Sequence, residues 1–181
     1  MYDLDLSLFT LIHNLAGHNP LVDNLIVFFA EYFQYFIAAA LIVYASIQYR
    51  THHLDKAFGV ILAVVAGVLG RGGVEVIRFF YHHARPFVTL HLTPLFPETS
   101  YSFPSGHAIF FFALAMGIYM IDRPLGKVLF IAATFIGLAR IAGGVHWPSD
   151  ILAGAVLGII VGYGIAKVGA RLIEWKKEKI K

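Results

Sequence analysis

The sequence has no cysteine and carries little charge for its length. Of its 181 residues, 14% are charged and 59% are hydrophobic, whereas soluble domains contain about 25% charged residues. Without cysteine the chain can form neither a disulfide framework nor a thiolate metal site. Its polar side chains are too few to cover a water-facing globule, which excludes an ordinary soluble domain. The net charge of +3 is too small to indicate a nucleic-acid ligand.

The beginning of the chain also lacks the features of a targeting segment. MYDLDLSLFT carries acidic side chains where a secretory signal peptide has basic ones, so we expect no cleaved leader. Leu4, Leu8 and Leu11 recur at helical spacing between polar residues. This pattern predicts that residues 1–20 form an amphipathic helix lying on a membrane surface, with a sixth, abbreviated span as the alternative.

Five apolar segments are long enough, or nearly so, to cross a bilayer. A hydrocarbon core about 30 Å thick requires about 20 apolar residues in a helix. The predicted spans are Leu25–Tyr49, Ala57–Phe80, Ser105–Ile121, Leu125–Val145 and Asp150–Leu172. The third is short and can cross only with help from its flanks. We therefore predict an all-α fold, in which residues 1–181 form one polytopic membrane helix bundle with five to six transmembrane helices.

The basic residues fall into two sets, which predicts the orientation of the bundle. Ten of the fourteen lie on one side of the five-span arrangement, several of them in a basic tail at residues 174–181. By the positive-inside rule that side is cytoplasmic in a cell membrane. The other four, at the extracytoplasmic ends of spans, are Arg71, Arg78, Arg85 and Arg140. For Arg71 we favour a pairing with Glu75 or a role as an interfacial anchor.

Three polar clusters meet at the extracytoplasmic ends of the predicted spans. They are the segment 78–86, the tetrad Pro104-Ser105-Gly106-His107 and the segment 140–150. Arg85 and Arg140 offer forked, permanently charged donors that suit phosphate oxygens. Ser105 and Gly106 open a helix, where free N–H groups and the helix dipole favour an anion. The clusters therefore predict a phosphate-binding cradle at the outer surface.

Two of the nine histidines are placed to supply reactivity. His146 precedes Asp150 by one helical turn, so the carboxylate can orient the ring and leave one nitrogen as a nucleophile. His107 lies beside the predicted cradle and suits a general acid. The remaining seven are interpreted as interfacial side chains: His13, His18, His52, His53, His82, His83 and His91.

At these residues the chain resembles the type-2 phosphatidic acid phosphatase family of integral-membrane lipid phosphatases. The family signature is Lys-x6-Arg-Pro, then Pro-Ser-Gly-His, then Ser-Arg-x5-His-x3-Asp, and all three spacings are met here. Two positions depart from it. Arg78 stands in place of lysine, which keeps the charge, and Ala139 replaces serine, which removes a hydroxyl group.

The resemblance implies a helical core and a two-step reaction through a phosphohistidine. His146 would attack phosphorus, Asp150 would orient it, and His107 would protonate the leaving group. The phosphoryl oxygens would be bound by Arg78, Arg85, Ser105, Gly106 and Arg140. Neither a metal nor another cofactor is implied, and the clusters offer little to a metal because Asp150 is their only carboxylate.

Within the family the chain is most similar to the small bacterial undecaprenyl-pyrophosphate phosphatases. The shared features are compact size, the segment LIHNLAGHNPLVD, FFAEY in the first span, and Arg-Pro-Phe-Val at 85–88. This similarity implies a lipid diphosphate, embedded in the bilayer, as the substrate. Phosphatidylglycerophosphate and phosphatidic acid are the alternatives within the family.

Two other classes of membrane protein compete with a phosphatase. A transporter would have ionisable residues along the depth of several helices, whereas here they cluster at the ends. A membrane cytochrome would have facing histidines inside the bundle, and no predicted span has a central histidine.

Overall fold

The structure, a computed structural model, describes residues 2–179, and its regular elements there are seven helices. They are α1 (Tyr2–His13), α2 (Pro20–Arg50), α3 (Leu54–Phe80), α4 (Pro86–Thr89), α5 (Gly106–Tyr119), α6 (Arg123–Ala142) and α7 (Pro148–Lys179). Helices α2, α3, α6 and α7 are long and apolar enough to cross a membrane, and α5 is a shorter apolar helix. The prediction of an all-α bundle is thereby confirmed for the described residues, whereas four helices, and not the predicted five to six, are by themselves long and apolar enough to cross a membrane.

Helix α5 occupies the centre of the bundle, where α3, α6 and α7 pack around it. Its 14 residues correspond to a length of about 21 Å, which is less than the predicted span of Ser105–Ile121. Ile109, Leu114 and Ile118 are among its fully buried side chains. A short, uniformly apolar helix is tolerated at this depth because protein rather than lipid surrounds it.

Helices α5 and α7 lie in backbone contact along a row of glycines. A Cβ atom at Gly154 would lie 2.8 Å from the carbonyl oxygen of Ser105, and one at Gly158 would lie 2.5 Å from that of Ile109. Side chains of any size would hold the two helices apart at these positions. Small residues serve the same purpose between many membrane helices.

Helix α2 begins five residues before its predicted start at Leu25. Asn19 caps the earlier start, since its side-chain oxygen accepts a hydrogen bond from the N–H of Leu21 at 2.8 Å, and Pro20 suits the first helical position. One turn of α2, Phe28–Tyr32, is a π-helix. Such turns frequently occur at functional sites.

Helix α1 lies across the outer ends of α6 and α7. Phe9 is buried there against Trp147, with ring centroids 5.3 Å apart. The hydroxyl of Ser149 donates to the Asp5 carboxylate at 2.6 Å, and the imidazole of His13 hydrogen-bonds the Ala142 carbonyl at 2.7 Å. With 12 residues the helix is about 18 Å long, too short for the alternative of a sixth span.

The opposite end of the bundle, which we call the inner end after the predicted orientation, is held by partly exposed polar contacts. Asp122 caps α6 by accepting from the N–H of Leu125 at 3.1 Å. Its other oxygen accepts from the Tyr44 hydroxyl at 2.9 Å and lies 3.6 Å from Nζ of Lys56. These contacts join α2, α3 and the loop before α6.

Candidate active site

The outer ends of α3, α5, α6 and α7 bring the three polar clusters together in space. The buried polar side chains at this end are Arg78, Arg85, Ser102, Ser105, Arg140, His146 and Asp150, each at most 9% exposed. Burying so many charged groups is costly unless each is paired or hydrogen-bonded. The contacts between them therefore define the site.

His146 lies in the loop between α6 and α7 and is oriented by Asp150 in the first turn of α7. Its Nδ1 is 3.3 Å from Oδ2 of Asp150. The same oxygen accepts hydrogen bonds from the backbone N–H of Trp147 at 2.8 Å and from the hydroxyl of Ser102. A carboxylate fixed in this way keeps the proton on Nδ1 and leaves the Nε2 lone pair free.

Burial keeps His146 uncharged. The imidazole is 1% exposed, and burial, supported by the charge of Arg85, lowers the pKa of His146 to about 3 although its bond to Asp150 acts in the opposite direction. The ring is therefore neutral at physiological pH, as a nitrogen nucleophile has to be.

Arg85 faces the free nitrogen of His146. Its Nη1 lies 3.3 Å from Nε2 of His146 and donates to the Val145 carbonyl at 2.7 Å. Its Nη2 is 3.2 Å from Glu98. Burial, with the neighbouring charge of Arg78, lowers the pKa of Arg85 to about 10, so the guanidinium remains charged at neutral pH. The guanidinium of Arg85 is thus held next to the position that a phosphorus atom bonded to Nε2 would occupy.

Arg140 is fully buried at the end of α6 and contacts two carboxylates. Its Nη1 lies 2.8 Å from Glu31, and its Nη2 contacts Glu98. Glu31 comes from the π-helical turn of α2, and Glu98 comes from the loop between α4 and α5. Because Glu98 also contacts Arg85, it connects the guanidinium groups of the first and third clusters.

Arg78 connects the end of α3 to the segment that precedes α5. Its Nη2 donates to the carbonyl of Pro104 at 3.1 Å and its Nη1 to the hydroxyl of Ser100 at 3.1 Å. The guanidinium also lies 3.4 Å from Glu75. Arg78 and Arg85 share Ser100, since Nη2 of Arg85 is 3.2 Å from the same hydroxyl.

Ser105 and Gly106 form the start of α5. The Ser105 side chain accepts from the N–H of Ala108 at 3.3 Å and so caps the helix, while its own N–H donates to the Asp150 carbonyl at 3.1 Å. The N–H groups of Gly106 and His107 belong to the first turn, where a helix has no acceptor of its own. These donors suit an anion.

His107 lies in the same turn of α5, among cationic side chains. The charges that act on its imidazole are those of Arg71, Arg85 and Arg78, in decreasing order.

Several residues of the site were missed by the sequence analysis. Asp150 is the only carboxylate of the three sequence clusters, but Glu31 and Glu98, which lie outside them, also contact arginines of the site. The interfacial interpretation of His83 is wrong, because its Nδ1 lies 3.3 Å from Oδ1 of Asp150. That hydrogen bond raises the pKa of His83. The one signal for His83 was its place inside the first cluster, two residues before Arg85.

The predicted pairing of Arg71 with Glu75 is also wrong. Glu75 contacts Arg78, and the side chain of Arg71 lies against Gly106 instead. Among residues 2–179, no group of three or more histidine or carboxylate side chains is arranged to hold a metal ion.

Comparisons with known proteins agree with this geometry. A family model described as the PAP2 superfamily matches residues 56–174. The chain is 32% identical over 160 residues to the Bacillus licheniformis protein named bacitracin transport permease protein BcrC, covering 87% of this chain and 77% of that one. It is 32% identical over 166 residues to the undecaprenyl-diphosphatase BcrC of Bacillus subtilis, covering 88% of this chain and 81% of the relative.

Two solved structures resemble the whole bundle. The crystal structure of Aquifex aeolicus LpxE superposes with a TM-score of 0.72 at 32% sequence identity, covering 91% of this chain and 95% of that one. A PAP2 type phosphatidylglycerolphosphate phosphatase from Bacillus subtilis superposes with a TM-score of 0.68, covering 99% and 87%. At 18% identity the second likeness concerns the fold alone.

Proposed function

Because this chain belongs to the PAP2 superfamily of membrane phosphatases, we propose that it hydrolyses undecaprenyl diphosphate, or a close polyprenyl diphosphate, to the monophosphate and phosphate. The diphosphate substrate is supported by the similarity to the Bacillus subtilis undecaprenyl-diphosphatase. The observation that carries the chemistry is the neutral His146, tied to Asp150 through Nδ1 and facing Arg85 through Nε2.

In the first step, Nε2 of His146 attacks the terminal phosphorus of the substrate. The P–N bond forms while the bond from phosphorus to the bridging oxygen breaks, and that oxygen keeps the electron pair. The imidazole becomes positively charged, and Asp150 stabilises it through Nδ1–H. The phosphoryl oxygens are bound by the side chains of Arg78, Arg85 and Arg140 and by Ser105 and the N–H of Gly106.

His107 is the proposed general acid of that step. It lies in the first turn of α5, directly after Gly106, and delivers a proton to the departing oxygen. In the second step a water molecule, activated by the now neutral His107, attacks the phosphohistidine. Phosphate is released and Nε2 of His146 regains its lone pair.

Glu31 and Glu98 have a supporting part in this proposal. Each gives a buried guanidinium group a counter-charge before substrate arrives, which limits the cost of burying Arg85 and Arg140. Phosphate oxygens would then meet guanidinium groups that are already oriented, with little rearrangement left to make.

The orientation of the site is part of the proposal. The helix ends that carry Arg50 and Lys56, and Arg123 and Lys127, lie at the end of the bundle opposite His146. The excess of basic residues at that end supports a cytoplasmic position for it. The active site would then open at the extracytoplasmic face of the cell membrane.

The test is a substrate panel with purified protein in detergent and excess chelator. Undecaprenyl diphosphate, phosphatidylglycerophosphate and phosphatidic acid are compared by phosphate release under one set of conditions, and we expect the diphosphate to react fastest. His146→Ala should lower kcat by more than about 1,000-fold. His53→Ala, at the inner end, is the matched control and should keep activity within about 2-fold of the wild type.

Other outcomes would favour the alternatives. Faster release from either glycerolipid would assign the chain a different substrate within the superfamily. Transport by reconstituted protein without any phosphate release would favour a transporter, the class in the name of the Bacillus licheniformis relative. Full activity of His146→Ala would contradict the assignment of the nucleophile.

A further inference from the structure

Arg71 lies at the site although it belongs to none of the three clusters. It precedes Arg78 by two turns of α3, which places it about 10 Å closer to the middle of the bundle. Its side chain crosses the start of α5. A Cβ atom built on Gly106 would lie 3.7 Å from Nη1 of Arg71 and 3.9 Å from its Cζ.

Arg71 differs from the other three arginines of the site in its contacts. Arg78, Arg85 and Arg140 each pair with a carboxylate. Within the described part of the chain, Arg71 has neither an ion pair nor a hydrogen bond, since Glu75 is taken by Arg78. An unpaired guanidinium at membrane depth is expensive and indicates a functional role.

The surroundings of Arg71 leave room for an anion. Its guanidinium lies against Gly106, the residue directly before the proposed general acid His107. The side chain of Arg71 is exposed, so an anion can reach it.

Arg85 and Arg71 contact different parts of the site. Arg85 lies against Nε2 of His146, whereas Arg71 lies against Gly106 at the start of α5, the residue directly before His107. A diphosphate whose terminal phosphorus meets His146 has a second phosphate on its lipid side. Arg71 offers that second phosphate a guanidinium group that is separate from the one at His146.

We propose that Arg71 binds the lipid-proximal phosphate of a diphosphate substrate and thereby makes the enzyme prefer diphosphates to monophosphates. This inference rests on the proposed phosphatase function. When the bond between the terminal phosphorus and the bridging oxygen breaks, the electron pair and its charge stay on the departing monophosphate. Arg71 stabilises that charge while His107 protonates the bridging oxygen, so the interaction strengthens in the transition state.

A lipid monophosphate gives Arg71 nothing to bind. Its only phosphorus has to lie at His146, and its leaving group is an alcohol without a phosphate. The two substrate classes should therefore respond differently to a change at Arg71.

The test compares farnesyl diphosphate with farnesyl monophosphate, which carry the same chain and differ only in the proximal phosphate. For Arg71→Gln we expect kcat/KM on the diphosphate to fall by about 10- to 100-fold, the range for losing a charge-assisted hydrogen bond, and on the monophosphate by less than about 3-fold. Arg71→Lys keeps the charge without the forked geometry and should lose about 3- to 10-fold on the diphosphate alone. Arg123→Gln, at the inner end, is the control and should leave both values unchanged.

Inhibition supplies a second readout, independent of turnover of the lipid. Inorganic pyrophosphate should inhibit the wild type more strongly than inorganic phosphate, measured with the monophosphate substrate. Arg71→Gln should lose this difference and keep its sensitivity to phosphate. An elution profile in size-exclusion chromatography that matches the wild type establishes that the variant is folded, and Arg71→Lys provides the comparison if it is not.

Three results would overturn the inference. Equal losses on both farnesyl esters would make Arg71 a general phosphate ligand or a structural residue, and unchanged kinetics would leave it without a role. In both cases the wild type is active and the proposed function stands. Failure of the wild type to release phosphate from either ester would instead remove the proposed function and this inference together.

Discussion

The two ends of the bundle use the same kinds of charged side chain in opposite ways. At the inner end, Lys56 and Asp122 lie 3.6 Å apart with 41% and 21% of their side chains exposed. At the outer end, Arg140 is 0% exposed and pairs with Glu31 and Glu98. Exposed pairs contribute little to stability, whereas buried charges have to be compensated in full. Among the described residues, buried ion pairs of this kind are found only at the end that also carries His146 and Asp150.

The largest expected difference between the two ends is in the effect on activity of replacing an aspartate. Asp150→Asn keeps the size of the side chain but no longer stabilises a positive charge on His146, so we expect kcat to fall by about 1,000- to 10,000-fold. Asp122→Asn, at the inner end, should change kcat by less than about 2-fold. Phosphate release by both purified variants measures the difference, and similar activities would remove the distinction between the two ends.

The next largest effect concerns stability. Arg140→Met leaves Glu31 without its partner and Glu98 with Arg85 alone, so the free energy of unfolding should fall by about 3 kcal/mol, the low end for breaking a buried pair. Lys56→Met removes a partly exposed pair and should cost less than about 1 kcal/mol. Denaturant unfolding in detergent, followed by tryptophan fluorescence, measures both. Equal losses for the two variants would show that burial does not set the cost.

The smallest expected effect is on the pH dependence of stability. Because burial lowers the pKa of His146 from 6.5 to about 3, the unfolded chain binds a proton in this range that the folded chain does not. The contribution of His146 to the free energy of unfolding is therefore fully present above about pH 6.5, and it decreases as the pH falls. At pH 5 the loss is about 2 kcal/mol, or about 4–8 °C in melting temperature.

His83 acts in the opposite direction and provides the control. Its raised pKa gives stability that is present below its unfolded value and is lost as the pH rises through the folded value. Melting curves between pH 5 and 7.5 should therefore become flatter for His146→Gln and steeper for His83→Gln. Parallel curves for His146→Gln and the wild type would contradict the burial of a neutral imidazole.

The sequence predicts the bundle well because its main determinants are local. Long apolar segments identify the helices without knowledge of their partners, and the predicted spans agree with the structure except near their ends. Those ends depend on capping contacts that composition does not reveal. Asn19 moves the start of α2 forward, and α5 ends at Tyr119, two residues before its predicted end at Ile121.

The contacts of the site were less predictable because their partners lie in segments without a regular pattern. Glu98 is an isolated acid in the loop before α5, and its contact with Arg140 joins residues 42 positions apart. Glu31 reaches the same arginine across 109 positions through a π-helical turn. Neither charge spacing nor helical periodicity carries information about such pairs. The arginines themselves were recognisable because the other ten basic residues of the sequence fall at the opposite end of the predicted spans.

The glycine contacts between α5 and α7 have a consequence for variants far from the active site. Gly158 lies two turns below Asp150, with its α-carbon seated on the carbonyl of Ile109. A methyl group there would wedge the two helices apart and move Asp150, whose backbone carbonyl accepts a hydrogen bond from the N–H of Ser105, away from the start of α5. Loss of turnover after such a substitution would then reflect mechanical misalignment, with every reacting side chain still present.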